Sequence, residues 1–172
     1  EAILANYSIG EGVLKSISKS VEPFANRLKK NEKALSKWAK SENIEAYRIY
    51  DADLPDYNLA IDRYGKQWIV QEYKAPKYMD PSKTLRRLIE AFIVLDHIFD
   101  IHSDDLIYKV REVQKGESQY ERLNENKGKF VVQEYNAKFL INTSDYLDNG
   151  LFLDHRLTRR KLGELANGMD FL

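Results

Sequence analysis

Leu59-Ala60-Ile61-Asp62-Arg63-Tyr64-Gly65-Lys66-Gln67-Trp68-Ile69-Val70-Gln71-Glu72-Tyr73 is the stretch that decides the fold. Leu59–Tyr64 and Gln67–Tyr73 read as two strands, and Gly65 closes them into a hairpin through a tight connection. Upstream, Ala46–Tyr50 reads as another strand, separated from the hairpin by the turn-rich Asp51-Ala52-Asp53-Leu54-Pro55. Downstream, Asp80-Pro81-Ser82 signals a helix start, with Asp80 as cap and Pro81 in the first turn, where a missing N–H costs nothing. Leu85, Leu88, Ile89, Phe92, Leu95 and Phe99 follow as a predicted buried stripe.

Further out, Pro23 to about Ser41 is helical by periodicity, with Phe24, Leu28, Leu35 and Trp38 on one face. Lys29, Lys30, Lys33, Lys37 and Lys40 project onto the roughly opposite face. Leu106–Val113 alternates, Leu106, Tyr108 and Val110 against Ile107, Lys109 and Arg111. Gln114–Gly128 is a polar, charged loop. Phe130–Glu134 and Lys138–Asn142 form a second predicted hairpin, and Thr158–Leu165 a short helix ending at Asn167-Gly168. Residues 1–20 read as a weakly helical lead-in. This order of elements implies an α+β fold, a mainly antiparallel sheet with helices packed on it.

The chain has 172 residues, 43% of them hydrophobic and 31% charged, a profile that supports a core of about one domain. Basic and acidic residues both number 27, so any basic footprint must be local. With no cysteine, disulfides, thiolate metal sites and a cysteine nucleophile are excluded within this stretch, and the composition fits a reducing compartment. No apolar run approaches the ~20 residues of a membrane span, and no signal-peptide pattern is present, so a cytoplasmic setting is expected. The opening on Glu1 and the close on Met169-Asp170-Phe171-Leu172, which read as a strand just beginning, suggest an excised fragment.

Several stretches are similar to one family. Phe24-Ala25-Asn26-Arg27-Leu28-Lys29-Lys30-Asn31 and Tyr50-Asp51-Ala52-Asp53-Leu54-Pro55-Asp56-Tyr57-Asn58 resemble the central part of the fused bacterial 23S rRNA guanine methyltransferases. So do Gln114-Lys115-Gly116 with Gln119-Tyr120, and Asp148-Asn149-Gly150-Leu151-Phe152-Leu153-Asp154-His155-Arg156. These enzymes join an N2-guanine and an N7-guanine methyltransferase in one chain and are often named adenine-specific DNA methylases. Asp53-Leu54-Pro55 with Asp62-Arg63-Tyr64-Gly65 is shared more loosely with related rRNA cytosine methyltransferases.

The resemblance covers about residues 21–172 and implies the start of the N7-forming half. It implies a lead-in at 1–20, a central RNA-contacting or linker domain at 21–147, and at 148–172 the start of a truncated, Rossmann-like S-adenosylmethionine domain. The glycine loop that would hold the cofactor would follow Leu172, so the fragment is not expected to bind S-adenosylmethionine or to be active alone. No catalytic residue is assigned.

By the same resemblance, Phe152, Asp154 and Arg156 border the cofactor pocket. Asp154 suits the cofactor's ammonium, and Arg156 or Arg159 its carboxylate or an RNA phosphate. The plainer alternative is a helix N-cap at Asp154 or Thr158, with the arginines in solvent. Lys30, Lys33 and Lys37 would lie along RNA phosphates, or face solvent as such stripes commonly do. Lys109, Arg111 and Lys115 with Tyr120 suit unpaired RNA, or form a plain surface loop.

Asp51, Asp53 and Asp56 lack the pattern of a calcium loop and read as a turn. His97 and His102 read as helix-end residues and His155 as a surface histidine, so no metal is expected. The expected partner is 23S rRNA, with no membrane. The alternatives are a non-catalytic RNA- or ribosome-binding module and a structural spacer between two catalytic halves.

Overall fold

A computed structural model describes residues 11–75, 79–111, 129–143, 148–166 and 168, with side chains from residue 19 onward. Helix α1 (Glu11–Glu42) leads into strands β1 (Ala46–Asp51), β2 (Leu59–Tyr64) and β3 (Gln67–Tyr73). Helix α2 (Pro81–Phe99), strands β4 (Leu106–Arg111), β5 (Lys129–Glu134) and β6 (Ala137–Asn142), and helix α3 (Arg156–Leu165) complete the order.

The first four strands form one sheet in the order β1-β2-β3-β4, and β5-β6 form a separate hairpin. Strands β1, β2 and β3 are antiparallel neighbours, while β4 joins parallel to β3. That parallel pair follows from chain connectivity, because parallel neighbours need a crossover and α2 supplies it. The expectation of an α+β fold dominated by antiparallel pairing holds. Gly65, at φ +60°, takes the left-handed turn position between β2 and β3 that favours glycine.

The first helix is longer than its periodicity suggests, running back through Pro23 to Glu11, so the second half of the expected lead-in is helical. Proline removes one helical hydrogen bond, but Val21, Phe24 and Leu28 are all buried. Phe24 stacks on Tyr57 at 4.1 Å between ring centres and meets Tyr50 edge-on at 5.1 Å. Packing on both sides of the proline outweighs its local preference.

Helix α2 begins as its sequence indicates, the Asp80 carboxylate accepting from the Ser82 N–H at 2.9 Å beside Pro81. Its buried face departs from the predicted stripe. Leu95 is buried and Leu88, Phe92 and Phe99 are half-buried, but Leu85 and Ile89 are exposed, and Glu90, Ala91 and Val94 turn inward. At about 100° per residue, Leu85 and Ile89 lie roughly 120° and 160° around the helix from Ala91. Glu90 is held inside by Arg86, Arg87 and the Tyr57 hydroxyl at 2.8–3.1 Å, so an ionic cluster sets the helix rotation.

The sheet therefore has two unlike faces. Tyr47, Ile49, Leu59, Ile61, Trp68 and Val70 share the larger core with residues of α1 and α2. Ala46, Tyr64 and Ile69 share a smaller core with Val132 and Ile141 of the hairpin and with Leu151. Among the described residues no helix is long and apolar enough to cross a membrane.

Candidate functional site

The second sheet face is apolar where the hairpin covers it and polar beyond that. Alternation along each strand brings Arg48 of β1, Asp62 of β2, Gln71 of β3, and Lys109 and Arg111 of β4 to the polar part. Three of these are buried: Asp62 is 1% exposed, Gln71 5% and Lys109 8%.

Asp62 accepts from Arg48 Nε at 2.6 Å and Nη2 at 3.1 Å, a bidentate ion pair, and from Gln71 Nε2 at 3.3 Å. Burial pushes the Asp62 carboxyl up from its ordinary value, with Arg48 opposing. Arg48 Nη1 reaches Asp51 at 3.0 Å, and Asp51 accepts from the Tyr73 hydroxyl at 2.5 Å. Lys109 Nζ donates to Asn149 Oδ1 at 2.7 Å, and burial pushes its ammonium down to about 8, with Asp148 opposing. Burial likewise drives the Tyr64 phenol up to about 12, opposed by a hydrogen bond with Asn149.

Residues 148–156 cross this polar face and enclose a cavity of about 630 Å³ with the sheet and with Leu35 and Trp38 of α1. Gly150 turns the segment at φ +82°, where other residues are strained. Tethers then hold it. The Asn142 N–H donates to the Asn149 carbonyl at 3.2 Å. Arg156 donates to Glu134 at 3.0 Å and to the Ala46 carbonyl, its guanidinium 5.1 Å from the Trp38 ring centre. Arg159 donates twice to Glu134 at 2.8 Å and to the Phe152 carbonyl at 2.6 Å. Burial alone would raise the Glu134 carboxyl, but the Arg159 and Arg156 bonds hold it below its ordinary value.

Of the three residues expected at a cofactor pocket, Phe152 and Asp154 are exposed at the rim of this cavity. Arg156 also lines it, with its guanidinium engaged by Glu134 and Ala46. Neither Asp154 nor Thr158 caps α3, whose N-cap position is His155, without a side-chain cap bond. Arg159 is turned inward rather than into solvent.

The basic candidates divide. Lys30, Lys33 and Lys37 are exposed on α1, as the periodicity predicts. Lys109 is buried against Asn149, because its strand faces the enclosed polar floor rather than solvent. Arg111 is half-buried on the cavity wall, 6.0 Å from the Tyr73 ring centre. Lys115, Tyr120 and the rest of the Gln114–Gly128 loop lie outside the described residues, as do the expected strand at the carboxyl end and Val113 of the expected β4.

The acidic turn holds no metal-like grouping. Asp53 Oδ1 accepts from the Asp51 N–H at 3.3 Å, Asp53 faces Asn31 and Arg27, and Asp56 faces Arg87. Among the described residues no cluster of three or more histidines and carboxylates is placed to hold a metal ion.

Sequence reasoning gave no role to Arg48 or Gln71, and Asp62 and Asn149 entered it only as members of the stretches that carry the resemblance. The available signal was a carboxylate and an amide in the middle of two otherwise apolar strands, Asp62 in Leu59–Tyr64 and Gln71 in Gln67–Tyr73.

Helix α3 is amphipathic in reverse. Arg156 and Arg159 face the protein, while Leu157, Leu162 and Leu165 are 72%, 51% and 64% exposed.

No protein-family model matches the chain. It is similar to the structure of a candidate S-adenosylmethionine-dependent methyltransferase from Streptococcus mutans, with TM-score 0.60 and 20% identity, covering 83% of this chain and 35% of that one. A structure of a candidate methyltransferase complexed with S-adenosylhomocysteine matches at TM-score 0.59 and 20% identity, again over 83% of this chain and 35% of that one. The chain thus shares the fold of one part of these proteins and spans about a third of their length.

Proposed function

We propose that this chain is one part of an S-adenosylmethionine-dependent methyltransferase acting on a guanine of large-subunit 23S rRNA in the cytoplasm. In this reading it supplies RNA-binding surface and one edge of the cofactor pocket, and it is inactive alone. The observation that carries the reading is the fold shared with the methyltransferase complexed with S-adenosylhomocysteine. The guanine assignment rests on the stretches that resemble the fused rRNA guanine methyltransferases.

The reversed polarity of α3 supports a further body beside the site. Three leucines over half exposed on one short helix suit burial against the cofactor-binding remainder of such an enzyme. In this reading the domain limits are 21–147 and 148–172, with Arg156 and Arg159 of the second segment bonded to Glu134 of the first.

The rim residues fit the cofactor in part. Asp154 presents an exposed carboxylate suited to an ammonium, and Phe152 an exposed ring. Arg156 fits as a positioning residue, since its guanidinium holds residues 148–156 to the sheet. S-adenosylmethionine would supply the methyl group. Guanine N7 already offers a lone pair, so the chain's own contribution is placement of the base rather than proton transfer.

A second reading, a non-catalytic RNA- or ribosome-binding module, is favoured by the exposed Lys29, Lys30, Lys33, Lys37 and Lys40 on α1. The spacer reading is its limit with no RNA affinity. Calorimetric titration with S-adenosylhomocysteine separates them. This chain should bind it negligibly and the full-length gene product tightly; absence of binding to the full-length product would leave the module or the spacer.

A further inference from the structure

A sheet edge is a row of unpaired N–H and C=O groups, and proteins cover it or blunt it with proline, a bulge or charge. The two edges of this sheet differ. Beside β1 the Glu45 N–H donates to the Gln133 carbonyl at 2.9 Å, Arg156 donates to the Ala46 carbonyl, and Ile44 bridges to Glu134. Among the described residues no strand pairs with the outer side of β4. Its sequence has no proline, and its register with β3 runs unbroken from Leu106 to Arg111, without a bulge.

The outward backbone groups can be assigned. The Arg111 carbonyl accepts from the Lys74 N–H at 3.2 Å, so Arg111 turns its groups towards β3. Backbone direction alternates along a strand, which turns those of Tyr108 and Val110 outwards. The flank above this edge is apolar. Tyr108 and Val110 are exposed on the α2 side of the sheet, where Phe92 meets the Tyr108 ring edge-on at 5.7 Å. At about 100° per residue, Leu85 and Ile89 lie roughly 20° and 60° around α2 beyond Phe92, on the side away from buried Ala91. Both are exposed there, as an aliphatic ledge above an open edge.

The strand is its own complement. Asp104 and Asp105 precede it, while Lys109 and Arg111 lie in its second half. Antiparallel pairing with an identical strand sets those ends against each other. Centred on Tyr108, it places Asp105 opposite Arg111, Leu106 opposite Val110 and Ile107 opposite Lys109, each twice. Partners in every pair are an even number of residues apart, so apolar meets apolar on the α2 side. Tyr108 and Val110, whose groups point outwards, are then the residues that make the new ladder. Lys109 meets Ile107 rather than a second lysine, and its ammonium keeps Asn149.

We propose that β4 pairs antiparallel with β4 of a second copy about a two-fold axis at Tyr108. The two four-stranded sheets join edge to edge, and Leu85 and Ile89 of each copy are covered. An unrelated extended segment would satisfy the backbone but not the paired charges of Asp105 and Arg111. The pairing is independent of the methyltransferase reading.

One strand and one helix flank from each copy make a small interface, so dissociation at about 1–100 µM is expected. Sedimentation equilibrium of this chain across that range should show a monomer–dimer transition. Val110→Pro removes an outward N–H, leaves the bonds to β3 and should weaken dimerisation at least about tenfold. Asp105→Lys and Arg111→Glu should each weaken it about threefold or more, and the double variant should restore it, which a folding defect would not do. In a mixture of differently labelled copies, NMR should show contact between the Hα protons of Ile107 and Lys109 on different copies, the close pair of this register.

A monomer at every concentration would overturn the proposal. Slow exchange of the Tyr108 and Val110 amides would then mean that the chain covers its own edge, and fast exchange that the edge serves another partner. A dimer untouched by Val110→Pro, or one whose intermolecular contacts fall on Leu157, Leu162 and Leu165, would overturn it as well.

Discussion

Glu134→Ala should be the most damaging single substitution at the site that touches no proposed ligand. The Glu134 side chain is 2% exposed and accepts three hydrogen bonds, at 2.8, 2.8 and 3.0 Å, from Arg159 and Arg156. Removing one partner of a buried ion pair costs about 3–5 kcal/mol, because the remaining charge is left without compensation. Here two guanidinium groups lose their acceptor, but Arg159 keeps the Phe152 carbonyl and Arg156 keeps the Ala46 carbonyl and the Trp38 ring. Both arginines also retain some solvent, their side chains being 11% and 21% exposed. These bring the loss to or below the bottom of that range, about 2–3 kcal/mol, a large part of the roughly 5–15 kcal/mol that holds a domain together. Urea unfolding followed by tryptophan fluorescence should show the midpoint falling by about 1–2 M, for a slope of about 1–3 kcal/mol per molar. The pH dependence has a fixed sign. A carboxyl held below its unfolded value of 4.5 contributes stability that is present above pH 4.5 and lost as pH falls through the folded value. The variant should lack that component of the acid-side decline. A loss under 1 kcal/mol would mean residues 148–156 are not anchored by this cluster.

Other substitutions probe separate parts of the account. Lys109 titrates at about 8 when folded against 10.5 unfolded, so the unfolded chain binds more protons between those values and stability should rise with pH there. Lys109→Met should flatten that rise relative to wild type, and an unchanged profile would place the ammonium in solvent. Replacing Leu157, Leu162 and Leu165 together by serine should change the stability of this chain by less than about 0.5 kcal/mol per site, as outward positions do. Thermal unfolding showing a loss of several kcal/mol would put those leucines inside. Neutralising Lys30, Lys33 and Lys37 should lower low-salt affinity for a single-stranded rRNA oligonucleotide and reduce the salt slope by about 2 for three phosphate contacts. Fluorescence anisotropy with no change in slope would leave α1 facing solvent.

Local rules carried most of the fold. Gly65 and the flanking runs define the first hairpin, and Asp80-Pro81 starts α2 at the residue the capping rule gives. What the sequence could not show was tertiary. The Glu90 cluster rotates α2 away from the stripe that Leu85 and Ile89 suggest, and the core on both sides of Pro23 carries α1 through a residue that usually ends a helix. At the site, alternation in β4 correctly separated Lys109 and Arg111 from Tyr108 and Val110. It could not show that residues 148–156 would close over the lysine side, which turns an apparent RNA-facing cation into part of a buried floor. Nor could it show that Asp62 and Gln71 would be buried, since only the crossing of that segment makes their face an interior.

The most direct test of the central claim is methyl transfer by the full-length gene product from labelled S-adenosylmethionine to unmodified 23S rRNA, with the modified nucleoside identified by mass spectrometry. The account predicts 7-methylguanosine as the product that depends on the half containing this chain. Incorporation as 5-methylcytidine, or no incorporation by a folded product, would contradict it.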